Sequence, residues 1–168
     1  MKSAFESVKH PFPPVYDKSS VVLILGSLPS VGSRAAGFYY MHPRNRFWSV
    51  LSAILKENFL VMGKEEKTAA LKKHGVALYD VVYSCEIHGS SDASIRKVVY
   101  IDLDAILRES KVKAIFLNGK KAYDLFVRAF PRLKDIAVLL PSTSPANAKT
   151  SLDELTLIWG KAILPFLQ

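Results

Sequence analysis

Short apolar runs alternate along the chain with stretches in which apolar side chains recur at helical spacing. The runs are rich in β-branched residues and end at glycine or at polar loops, which is typical of buried strands. They predict strands at residues 21–26, 76–82, 113–119 and from residue 135 onward. The helical spacing predicts helices over about 43–58, 64–74, 101–110, 120–130 and 152–163.

This alternation of strands and helices predicts an α/β fold in a single domain, residues 1–168. We expect a three-layer α/β/α sandwich around a central, four-stranded, mostly parallel sheet. The proline-rich residues 1–20 predict an extended arm packed on that domain. Ligands of such sheets bind at the carboxyl ends of the strands. Polar loops follow the predicted strands at residues 27–42, 83–95, 118–120 and 141–149.

The charge of the chain favours a polyanionic partner. Lysine and arginine number 23 and aspartate and glutamate 15, so the formal net charge is +8. A small basic domain concentrates phosphates around it, although the same charge is also explained by solubility alone. The apolar runs fall far short of the ~18 residues that cross a membrane, and no apolar leader stands at the start. We therefore expect a cytoplasmic protein with no membrane contact.

Cysteine and histidine usage predicts neither a metal nor a cofactor. The single Cys85 excludes a disulfide within the chain and an iron–sulfur or zinc site built from four thiolates. The histidines are scattered without the spacing of metal ligands, at His10, His42, His74 and His88.

The loop at 27–42 carries three adjacent rings, Phe38, Tyr39 and Tyr40, followed by His-Pro-Arg-Asn-Arg. Neighbouring side chains point in different directions, so at least one ring is expected to face a cavity. Aromatic rings beside Arg44 and Arg46 suit a base and its phosphates. The alternative is that the rings only pin the loop and that Arg46 forms a surface ion pair.

Three further polar positions have both a structural and a functional interpretation. Asn45, in the first turn of a helix, either braces the local backbone or acts on a ligand. Asp80 ends an apolar strand, where it either caps the next turn or accepts a hydrogen bond from a ligand N–H. The segment LPSTSPAN, residues 140–147, either presents hydroxyls and N–H groups to a phosphate or caps the next helix through Asn147 or Thr150.

Taken together, these segments resemble the uracil-DNA glycosylase superfamily. GSLPSVGSRAAGFYYMHPRNRFW, residues 26–48, is similar to the first motif region of the mismatch-specific enzymes, and LPSTSPAN to the second motif. Residues 74–95 resemble the segment that carries the base-reading side chain. Two positions depart from the pattern: Leu28 replaces the residue that holds water, and Leu140 replaces the histidine of the classical enzymes. The pattern is closest to the hypoxanthine-DNA glycosylase branch.

The resemblance implies a monofunctional, cofactor-free enzyme that flips a deaminated base out of double-stranded DNA and hydrolyses its N-glycosidic bond. Asn45 is then expected to position water, and Asp80 to accept the N1–H of hypoxanthine. Tyr40 is expected to stack on the base, with Phe38 and Ser27 completing the base-binding site. DNA contacts are expected from Ser142, Thr143, Ser144, Asn147, Arg44, Arg46 and Lys149. We expect a monomer.

Two other functions remain open on the sequence alone. One is a glycosylase for uracil or for G·T or G·U mismatches, since uracil also carries a ring N–H. The other is a catalytically inactive nucleotide- or DNA-binding module, which Leu28 and Leu140 favour because neither holds water or a proton.

Overall fold

The computed structural model describes residues 5–88 and 94–167. The strands are β1 Glu6–Lys9, β2 Val22–Gly26, β3 Val76–Asp80, β4 Val82–Ile87, β5 Arg96–Tyr100, β6 Ala114–Asn118 and β7 Ala137–Leu140. The helices are α1 Val31–Ala36, α2 Phe47–Leu55, α3 Lys64–Lys73, α4 Leu103–Arg108, α5 Lys120–Ala129 and α6 Leu152–Ile163.

Four strands form the central sheet in the order β3-β2-β6-β7, and every neighbouring pair is parallel. All positions of β2 and β3 are buried, as expected of strands covered on both faces. The sheet is flanked by helices, with α2 packed on α6, α3 on β3, and α5 on β6 and β7. The predicted α/β fold with a four-stranded parallel sheet is confirmed.

A second, antiparallel sheet in the order β1-β4-β5 was not predicted. The predictions of an arm over 1–20 and of a loop over 83–95 are wrong where these strands lie. The reason is that β4 and β5 keep many side chains partly or fully exposed, so neither shows the apolar run of a buried strand. Residues 89–93 of the predicted loop lie outside the described residues. Residues 1–4 of the predicted arm also lie outside the described residues, and Val15 forms an isolated antiparallel bridge with Leu78.

The first long loop also differs from its prediction, because it contains the short helix α1 and delays the start of α2 until Phe47. Residues 42–44 form a turn in which the backbone N–H of Asn45 donates to the carbonyl of His42. No helix in the two described ranges is long and apolar enough to span a bilayer.

The register of the central sheet brings the carboxyl ends of its strands to one level. Gly26 at the end of β2 pairs with Asp80 at the end of β3. Asn118 at the end of β6 pairs with Leu140 at the end of β7. Side chains that follow these strands therefore meet at one edge of the sheet.

Candidate active site

A cavity of about 390 Å³ lies at this edge of the sheet. It takes residues from the ends of β2, β3 and β6, from the loop before α2 and from the loop after β7. Of the positions singled out in the sequence, the ones on its wall are Ser27, Leu28, Tyr40, Asn45, Asp80, Ser142, Thr143 and Ser144. The predicted convergence of these loops is therefore present.

Asp80 is buried and is held by a partner that the sequence analysis passed over. Its Oδ2 lies 2.8 Å from Nε2 of His10, and the other ring nitrogen of His10 lies 2.8 Å from the carbonyl oxygen of Phe12. The side chain of His10 is fully buried. The second oxygen of Asp80, Oδ1, has no hydrogen bond from residues 5–88 or 94–167 but is not sealed from the cavity.

Tyr40 presents its ring to the cavity and hides its hydroxyl. Its ring stacks on Phe47 with centroids 4.0 Å apart, so one face is covered. The hydroxyl is buried, and in the described part of the chain nothing bonds to it with good geometry. Burial and then the carboxylate of Asp80 raise the pKa of this phenol well above its usual value, and Asn118 opposes part of that rise. Tyr40 also has φ = 55°, a left-handed conformation that is uncommon for a bulky residue.

Asn45 is part of a chain of hydrogen bonds between two loops. Its Oδ1 accepts from the backbone N–H of Phe47 at 2.9 Å and from the hydroxyl of Thr143 at 2.8 Å. Thr143 in turn exchanges two bonds of 3.0 Å with the amide of Asn118. Because a backbone N–H only donates, the amide oxygen of Asn45 is identified. Its Nδ2 therefore remains as a donor on the cavity wall.

Thr143 and Arg46, which were predicted to contact DNA, bond to other parts of the protein instead. Thr143 is fully buried in the bonds just described. The guanidinium of Arg46 donates to three backbone carbonyls of the loop after β7, at Thr150, Ser144 (3.1 Å) and Asn147 (2.8 Å). Arg46 thus fastens this loop to the start of α2, and both terminal nitrogens of its guanidinium donate inside the protein.

Phe38 and Asn147, two further predicted positions, do not line the cavity. Phe38 is in the core, stacked on Trp48 with a centroid separation of 5.9 Å. Asn147 braces its own loop by donating to the carbonyl of Ser142 at 2.9 Å. Phe38 instead packs with Tyr39 against Phe12: the ring centroids of Phe38 and Tyr39 are 5.4 Å apart, and they lie 6.4 and 4.6 Å from that of Phe12.

Exposed cations remain near the mouth of the cavity. Arg44 and Lys149 are both exposed, and they belong to the two loops that supply the cavity wall. His42 lines the cavity, and its Nδ1 accepts from the backbone N–H of Arg44 at 3.1 Å, so in the neutral ring Nε2 carries the proton. These groups are suited to phosphate oxygens.

The sequence reasoning missed His10 and Asn118 as members of the site. Asn118 was detectable, since it ends a predicted strand beside a loop that had been singled out. His10 carries no such signal, because it lies 70 positions before Asp80 in a segment taken for an arm. No three potential metal ligands cluster anywhere in the described ranges.

Comparison with known proteins places the chain among DNA repair enzymes. The profile of the Uracil DNA glycosylase superfamily matches residues 13–162. A hypoxanthine DNA glycosylase of Methanosarcina barkeri is 35% identical over 158 residues, which are 92% of this chain and 97% of that protein. A hypoxanthine DNA glycosylase of Methanosarcina acetivorans is 35% identical over 148 residues, or 86% and 91% of the two chains.

The fold shows the same family relationship. A solution NMR structure from Methanosarcina acetivorans, of a protein described provisionally as a uracil DNA glycosylase, superposes with a TM-score of 0.77. The two chains are 31% identical, and the match covers 91% of this chain and 97% of the other.

Proposed function

Since the chain belongs to the uracil DNA glycosylase superfamily, we propose that it excises hypoxanthine from double-stranded DNA by hydrolysing the N-glycosidic bond. The free Oδ1 of Asp80, held on the cavity wall, is the observation that carries this proposal. The loops of one chain supply the cavity wall, and we propose that a monomer acts.

Asp80 reads the edge of the base. Hypoxanthine carries an N1–H, whereas adenine has a lone pair at N1 and carries no proton there. Oδ1 accepts the N1–H of a flipped hypoxanthine and has nothing to accept from adenine. A buried acceptor left without a donor costs roughly 1–3 kcal/mol, and that cost disfavours adenine.

Tyr40 supplies a stacking surface for the base. Phe47 covers one face of its ring, and the ring also lines the cavity. An aromatic ring braced in this way stacks with a base of any identity, because every base has a π-face. Stacking therefore holds the flipped nucleotide, and the choice between bases rests with Asp80.

Asn45 positions the water that replaces the base. Its Oδ1 is occupied twice, so it acts through Nδ2, which donates to the water oxygen. An amide donor takes no proton from water, but departure of the base leaves an oxocarbenium-like sugar that needs little activation of its nucleophile. Holding the water in line with C1′ is then the useful contribution.

The departing base is stabilised by hydroxyls of the loop after β7. The Oγ of Ser142 and the Oγ of Ser144 each accept a backbone N–H within this loop, at 3.1 and 3.2 Å. Accepting these bonds leaves each hydroxyl proton free to donate to the base. The tight fastening of the loop keeps these donors preorganised.

Uracil is the second candidate substrate, because its N3–H also satisfies Oδ1. A catalytically inactive module is the third possibility, since Leu28 stands on the cavity wall where related enzymes hold water. Both are decided by the same assay.

The test is single-turnover cleavage of duplexes that contain inosine, uracil, a G·T mismatch or only normal bases, followed by alkali. We expect inosine to be excised fastest. Asn45→Ala should abolish most of that rate, whereas Asn58→Ala, an exposed asparagine outside the cavity, is the matched control. Faster excision of uracil than of inosine would show that uracil is the preferred substrate. If no duplex is cleaved, the proposed glycosylase activity is wrong.

A further inference from the structure

The hydrogen bonds of His10 determine how many protons it shares with Asp80. The carbonyl of Phe12 only accepts, so Nδ1 of His10 carries a proton. A single proton then lies between Nε2 of His10 and Oδ2 of Asp80. If it is on the ring, the two residues form an ion pair, and if it is on the carboxyl, they form a neutral pair. In both arrangements the net charge of the pair is zero.

We infer that His10 is a positioning residue of the reaction: it holds Asp80 with Oδ1 toward the base and cancels the charge of the carboxylate while the base departs as an anion. This inference rests on the proposed excision of hypoxanthine. Without His10, reading N1–H would place a bare carboxylate against a leaving group that becomes negative. That arrangement opposes the reaction, because like charges in a shielded cavity repel strongly.

The surroundings leave His10 as the group that neutralises Asp80. The other titratable groups facing the pair are the phenols of Tyr39, Tyr40 and Tyr79, and burial raises the pKa of each, so all three stay neutral. Within residues 5–88 and 94–167, no lysine or arginine forms an ion pair with Asp80. The ring of His10 is fixed edge-on between neighbouring rings, with its centroid 4.9 Å from Phe12 and 4.7 Å from Tyr79.

The first experiment is His10→Gln, which keeps a neutral donor near Oδ2 and removes the proton that the pair shares. At neutral pH we expect single-turnover excision of inosine to fall roughly 30- to 100-fold, the size of one nearby like charge in a partly shielded site. Affinity for the damaged duplex should stay within about threefold.

The second experiment adds Asp80→Asn to His10→Gln. The double variant has no charge to cancel, so it should cleave inosine faster than His10→Gln alone. A residue that only supports the fold gives no such rescue. The matched control is His74→Gln, another histidine paired with a carboxylate, 3.0 Å from Glu57 and outside the cavity. It should leave the rate unchanged.

A third measurement needs no substitution. Nitrogen NMR of the His10 ring in the wild-type protein should show Nδ1 protonated, and a ring protonated only at Nε2 would overturn the inference even if His10→Gln failed to fold. If the wild type does not excise inosine, the proposed function fails. If it does, and His10→Gln is as fast as the wild type or is slow without rescue by Asp80→Asn, only the role of His10 fails.

Discussion

Oδ1 of Asp80 and Oη of Tyr40 both lie against the backbone of Gly26. A side-chain carbon built on Gly26 would lie 2.5 Å from the carboxylate oxygen and 2.8 Å from the hydroxyl oxygen. Both oxygens therefore occupy the space that a side chain at this position would fill, and their placement depends on a residue without one. This relationship explains why strand β2 ends in glycine.

Gly26→Ala should displace the carboxylate of Asp80. Contacts below 3.0 Å force a shift, and the shift moves Oδ1 away from the base. We expect inosine excision to fall at least tenfold, which corresponds to about 1.4 kcal/mol of transition-state binding. Gly63→Ala is the control, because a side-chain carbon there approaches only Glu66, at 3.8 Å. Unchanged excision by Gly26→Ala would contradict this account of the cavity floor.

Tyr40→Phe should make the protein more stable, by roughly 1 kcal/mol, because it removes a buried hydroxyl without a well-placed partner. The same change at the neighbouring Tyr39 should make it less stable by a similar amount, since that hydroxyl donates to the carbonyl of Pro13 at 2.9 Å. Denaturant unfolding of the two variants measures both effects. Equal signs at the two positions would show that the Tyr40 hydroxyl is satisfied after all.

The alkaline side of the stability profile tests the same residue. A free phenol titrates at 10.0, and the pKa of Tyr40 is raised in the folded state. The unfolded chain therefore loses this proton first, so stability falls as the pH rises above about 10, by up to about 1.4 kcal/mol per pH unit for each such tyrosine. Tyr40→Phe should show a shallower fall.

Asn45→Ala combines two losses that a second variant separates. It removes the acceptor of the Phe47 backbone N–H, which is worth about 1 kcal/mol of stability, and the Nδ2 donor, which as a preorganised group is worth about 100- to 1,000-fold in rate. Asn45→Ser keeps an oxygen that accepts from this N–H but has no amide donor. Its melting temperature should lie near that of the wild type while its cleavage rate stays low. If Asn45→Ser cleaves as fast as the wild type, Asn45 only holds the two loops together and does not position water.

Asp80→Asn by itself should not change which base is chosen. In this variant the ring of a neutral His10 offers a lone pair at Nε2, so the new amide turns its NH₂ toward the histidine and its oxygen toward the base. The acceptor for N1–H is then preserved. Excision of adenine from undamaged duplex is the informative measurement, because an amide turned the other way would donate to adenine N1. A gain of adenine excision would contradict the arrangement.

Substitutions of Arg44 and Arg46 should have different effects on DNA binding and stability, although the two residues are only two positions apart. Arg44 is exposed, and removing one phosphate contact should lower the slope of log affinity against log salt by about 0.9. Arg46 is bound to carbonyls, so Arg46→Ala should cost about 1–3 kcal/mol of stability and leave the slope unchanged. Salt titrations of duplex binding, paired with thermal melts, compare the two. A lower slope for Arg46→Ala would show that Arg46 contacts the DNA after all.

The sequence by itself determined the central sheet and the place of the site. Buried parallel strands and amphipathic helices are encoded by local periodicity, which is why β2, β3 and β6 were predicted within about two residues. The carboxyl ends of parallel strands meet at one edge, so Tyr40, Asn45 and Asp80 were expected to converge without knowledge of their contacts.

Only the tertiary structure decided what each polar side chain does. Tyr40 lines the cavity, whereas Phe38, two positions earlier, packs on Trp48 in the core, a division that no spacing rule reveals. Arg46 is used inside the protein because the loop after β7 returns to it from about 100 positions away, and His10 reaches Asp80 because β1 pairs with β4. Local periodicity carries no information about which distant donor and acceptor meet, since that depends on how separately encoded elements pack.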